Sequence, residues 1–265
     1  MKQNSEIILD SIINGERVTT FRYEIWRSLL PEVLTYRSCA RSAASSRASP
    51  AHINIERVRT EPFVPTYVGK EHKGMSPSEF LTGDSRVFFE NNWSFCASEA
   101  ANRADTMLAL GVSKSIINRI LEPYNTINVL MTGATHHWEW LFKQRTAADA
   151  EPNLRELVLM MQEQYNASEP VERKYHLPFA ANLPFNADYE WERTMRISAA
   201  RCARLSYTPH GSPKTDVEAD LALANKLLKS KHFSPFEHQL FPDDCHSGMN
   251  AISPYVCTFR QLLGQ

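Results

Sequence analysis

No two cysteines in this sequence are close enough to form a Cys-x-x-Cys pair. The five that occur, Cys39, Cys96, Cys202, Cys245 and Cys257, are odd in number and widely spaced. This argues against a disulfide framework and a zinc knuckle and favours a reducing, cytoplasmic setting. Long apolar runs are missing too: nothing approaches the roughly 18 residues of a membrane span. The first residues, MKQNSEIILDSIINGER, lack the apolar stretch behind a basic start that marks an export signal. Excess charge of one sign is absent, with 29 Lys and Arg against 30 Asp and Glu, so no overall field draws the chain to a polynucleotide or an anionic membrane. There is no Gly-x-Gly-x-x-Gly fingerprint, P-loop, internal repeat or heptad array. His136 and His137 are adjacent and so face different ways on a helix, which disfavours a shared metal, and no metal is expected.

What is present suits one large domain. The 265 residues are 43% hydrophobic, enough for a sizeable core, and residues 1–265 are expected to form a single domain. Residues 17–26 alternate Thr20, Arg22 and Glu24 against Phe21, Tyr23 and Ile25, the period of a half-buried strand. Pro31 suits the first turn of a helix over 31–41, running into the polar loop SAASSRASP. Four prolines and two glycines between 48 and 78 predict an irregular excursion. Apolar positions from Phe89 to Leu108 recur at helical spacing, predicting a core helix over 86–110 with Gly111 as its stop. A short helix capped by Ser113, a buried strand at 127–131, and helices at 135–146 and 152–165 follow. Beyond the segment from Ile197 to Tyr207 and the turn TPHGSP, a Thr215-x-x-Glu218 capping box opens a helix through about Lys229. Strands interleaved with helices give an α+β or α/β class.

The segment from Glu32 to Arg47 gathers Arg37, Arg41 and Arg47 with Ser38, Ser42, Ser45 and Ser46. On composition alone a solvated helix end with capping serines is the first reading. A phosphate site is the second, since arginine forks and serine hydroxyls supply charge-assisted bonds to phosphate oxygens.

From Thr35 to Pro50 the chain reads T-Y-R-S-C-A-R-S-A-A-S-S-R-A-S-P. This resembles the signature R-H-R-x-x-S-x-N-x-x-S-x-R of flavin-dependent thymidylate synthases, which phage members often write T-H-R-x-x-S-R-N-x-x-S-S-R-A-x-P. N-R-I-L-E-P (118–123), W-E-W-L-F-K-Q-R with A-D-A-E-P (138–145, 148–152), and A-R-C-A-R-L-S-Y with H-F-S-P-F-E-H (200–207, 232–238) are similar to the same phage group. The last two precede the arginine signature in more familiar members and follow it here, a circular permutation, which implies neighbouring chain ends.

The resemblance implies an α+β fold with a central, mainly antiparallel sheet flanked by helices, in the cytoplasm of a bacterial or phage-infected cell. It implies FAD as cofactor, methylenetetrahydrofolate and NADPH as co-substrates, dUMP as acceptor of a one-carbon unit at its 5-position, and a homotetramer with sites where subunits meet. Carried over, Ser45 and Arg47 match the phosphate positions, with Ala43, Ala44 and Ser46 adding backbone contacts. Glu32 matches a glutamine near the base or sugar, and Arg119 a further nucleotide-binding arginine. Arg145 matches the arginine at the uracil edge, the catalytic position, following the aromatic run Trp138, Trp140 and Phe142. Tyr36, Arg37, His136, Trp140 and His238 fall on the flavin side.

The chain departs from the signature at Tyr36 for histidine, Ala40 for serine, Ser42 for asparagine and Trp140 for asparagine, mostly at flavin-side positions. Tyrosine and tryptophan can still stack on an isoalloxazine. Alternatives are a hydroxymethylating or cytosine-nucleotide enzyme and a nucleotide-binding paralogue without catalysis. Cys245-His246 is a weaker candidate, with no sign of an activated nucleophile around it.

Overall fold

The computed structural model describes residues 1–181, 183, 190–206, 216–242 and 252–264. The chain opens with a hairpin, β1 (Asn4–Ile13) and β2 (Glu16–Trp26). Asn14 and Gly15 turn it with φ of 51° and 78°, the left-handed pair that matches the twist of a two-residue turn. After the short α1 (Leu30–Val33) come β3 (Cys39–Ala43), α2 (Ala51–Thr60), α3 (Gly83–Ala109), α4 (Lys114–Leu121), β4 (Thr126–Ala134), α5 (Thr135–Arg145) and α6 (Pro152–Ala167). The two-residue β5 (Val171–Glu172), α7 (Trp191–Ala203), α8 (Val217–Lys229), β6 (Leu240–Pro242), β7 (Val256–Thr258) and α9 (Phe259–Leu262) complete the order.

The main sheet runs β3-β4-β2-β1-β5, antiparallel except where β5 joins β1 in parallel. This is the expected α+β architecture. Odd-numbered residues of the three inner segments, Phe21, Tyr23, Ile25, Val129, Met131 and Cys39, point to one face, where Trp138, Leu141 and Phe142 of α5 and Leu154, Leu157, Val158 and Met161 of α6 cover them. Even-numbered Val18, Ala40 and Ala134 point to the other, against Leu240, Ile252 and Val256, while Leu130 meets Cys202 and Leu205. The parity of a strand thus decides which side a residue serves.

Several expectations are corrected. β2 is the middle strand, and Thr20, Arg22 and Glu24 are as buried as their apolar neighbours, each paired below the surface. The helix over 31–41 ends at Val33, because residues 39–43 find backbone partners along β4 and bury Cys39 and Ala40. Within the proline-rich stretch, Ala51, Ile55 and Val58 recur at helical spacing and bury against Ala97, Ala101 and Ala104, so α2 forms there. Those three alanines are the fully buried part of α3, which is otherwise a surface helix with Phe88 and Phe95 exposed. Gly111 stops α3 at φ 82°, as expected. The α8 cap is Asp216, whose carboxylate accepts from the Glu218 amide; Thr215, Tyr207 and the TPHGSP turn lie outside the described residues, as do Cys245, His246 and Gln265. Met1 packs with α2, α3 and α4, whereas Leu263 packs with α7 and α8, so the described ends sit in different clusters.

Candidate functional site

Arg145 is the last residue of α5 and is held from two sides. Its Nε donates to the Tyr36 hydroxyl at 2.9 Å and its Nη1 to Glu32 Oε2 at 2.7 Å. Tyr36 in turn donates to Gln144 Oε1 at 3.0 Å. Arg145 lies 5.6 Å from the Tyr36 ring centroid, and Tyr36 meets His137 edge-on at 5.9 Å. His137 is wedged against β4: a Cβ on Gly133 would stand 2.5 Å from its ring, so only glycine allows this approach. Ser38 Oγ and Met131 Sδ occupy its two nitrogens at 3.1 and 3.2 Å. Burial pushes this imidazole down to about 3, so it is neutral. Around this buried group Arg37, His136 and Trp140 are exposed, His136 and Trp140 one helical turn apart on α5.

The second cluster lies at the other end of β3, whose five residues span about 13 Å at a strand's rise of roughly 3.3 Å per residue. Here Ser45 starts a tight turn: its carbonyl accepts from Ala48 N at 2.9 Å and its hydroxyl from Arg47 N at 3.2 Å. Ser46 Oγ donates to Glu122 Oε1 at 2.7 Å, and Arg27 Nη2 reaches the same oxygen at 3.2 Å. Asn118 Nδ2 ties down the turn by donating to the Ser46 and Ser49 carbonyls at 2.7 and 3.0 Å. Ala44, Ser45 and Ser46 wall a cavity of about 470 Å³ that Asn118, Asn128 and two ion pairs, Arg27 with Glu122 and Arg57 with Glu24, also line. That volume falls in the range of small-molecule sites. Arg47 and Arg119, the latter next to Asn118 on α4, are exposed, and among the described residues neither has an ion pair.

The structure therefore brings Glu32, Tyr36 and Arg145 together, and separately Ala44, Ser45 and Ser46, with Ala43 at the end of β3, Arg47 on the turn and Arg119 on the neighbouring helix. It keeps His238 from both groups. This residue is fully buried on the opposite sheet face from Tyr36, and Thr132 Oγ1 and Ser42 Oγ take its two nitrogens at 2.9 and 3.0 Å. Burial pushes the Cys39 thiol up to about 11 and the Cys202 thiol further, so neither offers a thiolate. Nor do the described residues hold a group suited to a metal ion, and no described helix is long and apolar enough to cross a membrane. Sequence reasoning assigned no role to Asn118, Glu122 or Gln144, although all three lie in quoted motif segments. Arg27 carried no signal of its own.

No family model and no curated protein matches the chain. Among solved structures, a UMP/dUMP methylase, PolB from Streptomyces cacaoi bound with 5-Br UMP, superposes with a TM-score of 0.51 at 10% identity over 62% of this chain and 88% of that one. The same methylase bound with 5-Br dUMP gives 0.47 at 12% identity over 58% and 67%. Thymidylate Synthase X from Helicobacter pylori with FAD and dUMP gives 0.40 at 12% over 56% and 67%. The first of these is similar in fold.

Proposed function

We propose that the chain binds a pyrimidine nucleoside monophosphate, dUMP, and transfers a one-carbon unit to its 5-position with the help of a bound flavin. The observation that carries this reading is the serine turn at the end of β3, which walls a cavity of about 470 Å³ and carries Arg47, with Arg119 on the neighbouring helix; among the described residues neither arginine has an ion pair. The fold shared with a methylase bound to 5-Br UMP supports the same substrate class. Ser45, Ser46 and backbone amides of the turn hold the phosphate oxygens, and the two arginines add charge-assisted bonds. Arg145 meets the base edge: Glu32 and Tyr36 fix its plane, and its remaining N–H groups face the carbonyl where charge builds as the ring becomes nucleophilic. With the Cys39 and Cys202 thiols held protonated by burial, no adduct to either is invoked.

The exposed trio Arg37, His136 and Trp140 fits a flavin, with two rings to stack and a cation for a phosphate. Tyr36 and His238 serve the site from within, because their polar atoms are already bonded. When bound, the flavin supplies the redox chemistry of the transfer. Methylenetetrahydrofolate as donor and NADPH as reductant complete the proposal. Because the two clusters occupy opposite ends of β3, one site is completed when a second copy supplies the other half, as a homotetramer would allow. The whole chain acts as one domain in this reading.

A second reading is a nucleotide-binding paralogue without catalysis, favoured by the internal bonding of Tyr36 and His238. Single-turnover conversion of dUMP by protein carrying pre-reduced FAD and methylenetetrahydrofolate separates the two. Formation of dTMP supports the first, a hydroxymethylated product or conversion of the cytosine nucleotide alone redirects it, and dUMP binding without conversion establishes the second.

A further inference from the structure

Beneath the sheet, on the face away from α5, six side chains form one unbroken line of hydrogen bonds. Ser11 Oγ lies 3.1 Å from His176 Nδ1, and His176 Nε2 lies 2.7 Å from Thr20 Oγ1. Thr20 and Thr132 hydroxyls are 2.6 Å apart, Thr132 Oγ1 is 2.9 Å from His238 Nδ1, and His238 Nε2 is 3.0 Å from Ser42 Oγ. Ser11, Thr20, Thr132, His176 and His238 are fully buried, while Ser42 is half-buried within the arginine-serine segment. Four elements meet in this line: β1, β2, β4 and β3, with the two imidazoles laid across them from the chain's later part.

The line has a proton count. Between His176 Nε2 and His238 Nδ1 there are three contacts and two hydroxyl protons, one from each threonine. All three contacts are hydrogen bonds only if one of those two nitrogens, and not both, carries a proton. Burial pushes each imidazole down to about 3, so each ring carries one proton in all. Two arrangements satisfy every group. In one, both rings are protonated at Nε2, every bond points from Ser11 toward Ser42, and Ser42 keeps its own proton to offer outward. In the other, both are protonated at Nδ1, every bond points the opposite way, and Ser42 spends its proton on His238 and offers only lone pairs. Mixed arrangements leave a buried donor facing a donor, or an acceptor facing an acceptor, and a buried group left unpaired forfeits its full desolvation cost.

We infer that Thr20, Thr132 and His176 are positioning residues that lock the tautomer of His238 to that of His176, and so decide whether Ser42 presents a donor or an acceptor to the ligand side of the arginine-serine segment. Its bearing on a nucleotide or flavin rests on the proposed function; the coupling itself does not.

The test is nitrogen-15 NMR of the two ring systems in the ligand-free protein at neutral pH, which distinguishes protonated from bare ring nitrogens. The Nε2–H fraction of His176 is expected to equal that of His238. One ring as Nε2–H with the other as Nδ1–H, or either ring doubly protonated, overturns the inference. Ser11→Ala removes the partner of His176 Nδ1 and is expected to drive both rings, including the distant His238, toward Nε2–H by about fivefold or more. Ser42→Ala removes the partner of His238 Nε2 and is expected to drive both toward Nδ1–H. A response confined to the ring beside the substitution overturns the coupling. Where a variant does not fold, the wild-type spectrum alone decides. Because no ligand is added, failure of dUMP to bind would count against the proposed function and leave this result standing.

Discussion

The two faces of the central sheet solve the same problem, burying polar groups, in opposite ways. Under α5 and α6 the face is mostly apolar, and at one edge Arg145, Glu32 and Gln144 remain partly open to solvent around the buried Tyr36. On the other face a line of hydroxyls and neutral imidazoles crosses the middle of the sheet with no solvent contact until Ser42. Strand β3 belongs to both: Cys39 packs into the first face, and Ala40 and Ser42 turn to the second. Arg145 on the first face keeps its permanent charge at the rim, whereas His176 and His238 on the second are buried uncharged, and the buried Arg22 and Glu24 of β2 keep theirs by pairing with Glu6 and Arg57. Arg145 is thus suited to act on a ligand directly, and His238 through what it bonds.

Acid should break this comparison most forcefully. His176 and His238 on one face and His137 on the other all have folded values near 3, below the ordinary 6.5. A depressed folded value means that the unfolded chain takes up the protons first. Stability is therefore full above about pH 6.5, falls as pH drops through the window from 6.5 toward 3, and each imidazole contributes up to roughly 1.4 kcal/mol per pH unit. Denaturant unfolding across that window should show the loss, and a flat profile would mean that these rings are not buried neutral.

The rim charge is tested by Arg145→Lys. A point charge cannot reproduce the planar contact to Tyr36 and Glu32, so turnover of dUMP should fall on the order of a hundredfold while nucleotide affinity is largely kept. Single-turnover kinetics beside calorimetry measure the two separately; normal turnover would remove Arg145 from the chemistry. Arg47→Ala should do the reverse, weakening dUMP binding by roughly 2 kcal/mol, and unchanged affinity by calorimetry would dissociate the serine turn from the phosphate. Smaller still, Ser46→Ala removes the hydroxyl that holds Glu122 and should cost about 1 kcal/mol of stability, read from the urea midpoint.

Periodicity made α5, α6, β2 and β4 legible, because their apolar spacing survives translation into burial, and it found the extent of α3 but not its exposure. It misled at β2, where alternation signalled a wet face that is in fact a buried polar one, since a strand's pattern records polarity and not exposure. It missed β1 altogether, although Asn14-Gly15 between two β-rich runs is a strong hairpin sign. For the candidate site, the motif segments pointed to Arg145 and the serine turn, but no local pattern could place His238 beneath Thr132 or split the groups between the ends of β3. Those are long-range facts, set by pairings such as Ala40 with Thr132.

Trp138 and Trp140 stand two positions apart on α5, yet one is sealed in the core and the other is half open, at 52% exposure. Of the five tryptophans, these two are the extremes of exposure, with Trp26, Trp93 and Trp191 between them. Emission from Trp138 is expected to be the most blue-shifted and tied to the integrity of the sheet, whereas emission from Trp140 is expected to be the most solvent-relaxed and open to energy transfer to any yellow chromophore that settles beside it. Titration with FAD should therefore quench the red side of the tryptophan spectrum more than the blue, and Trp140→Phe should reduce that selectivity.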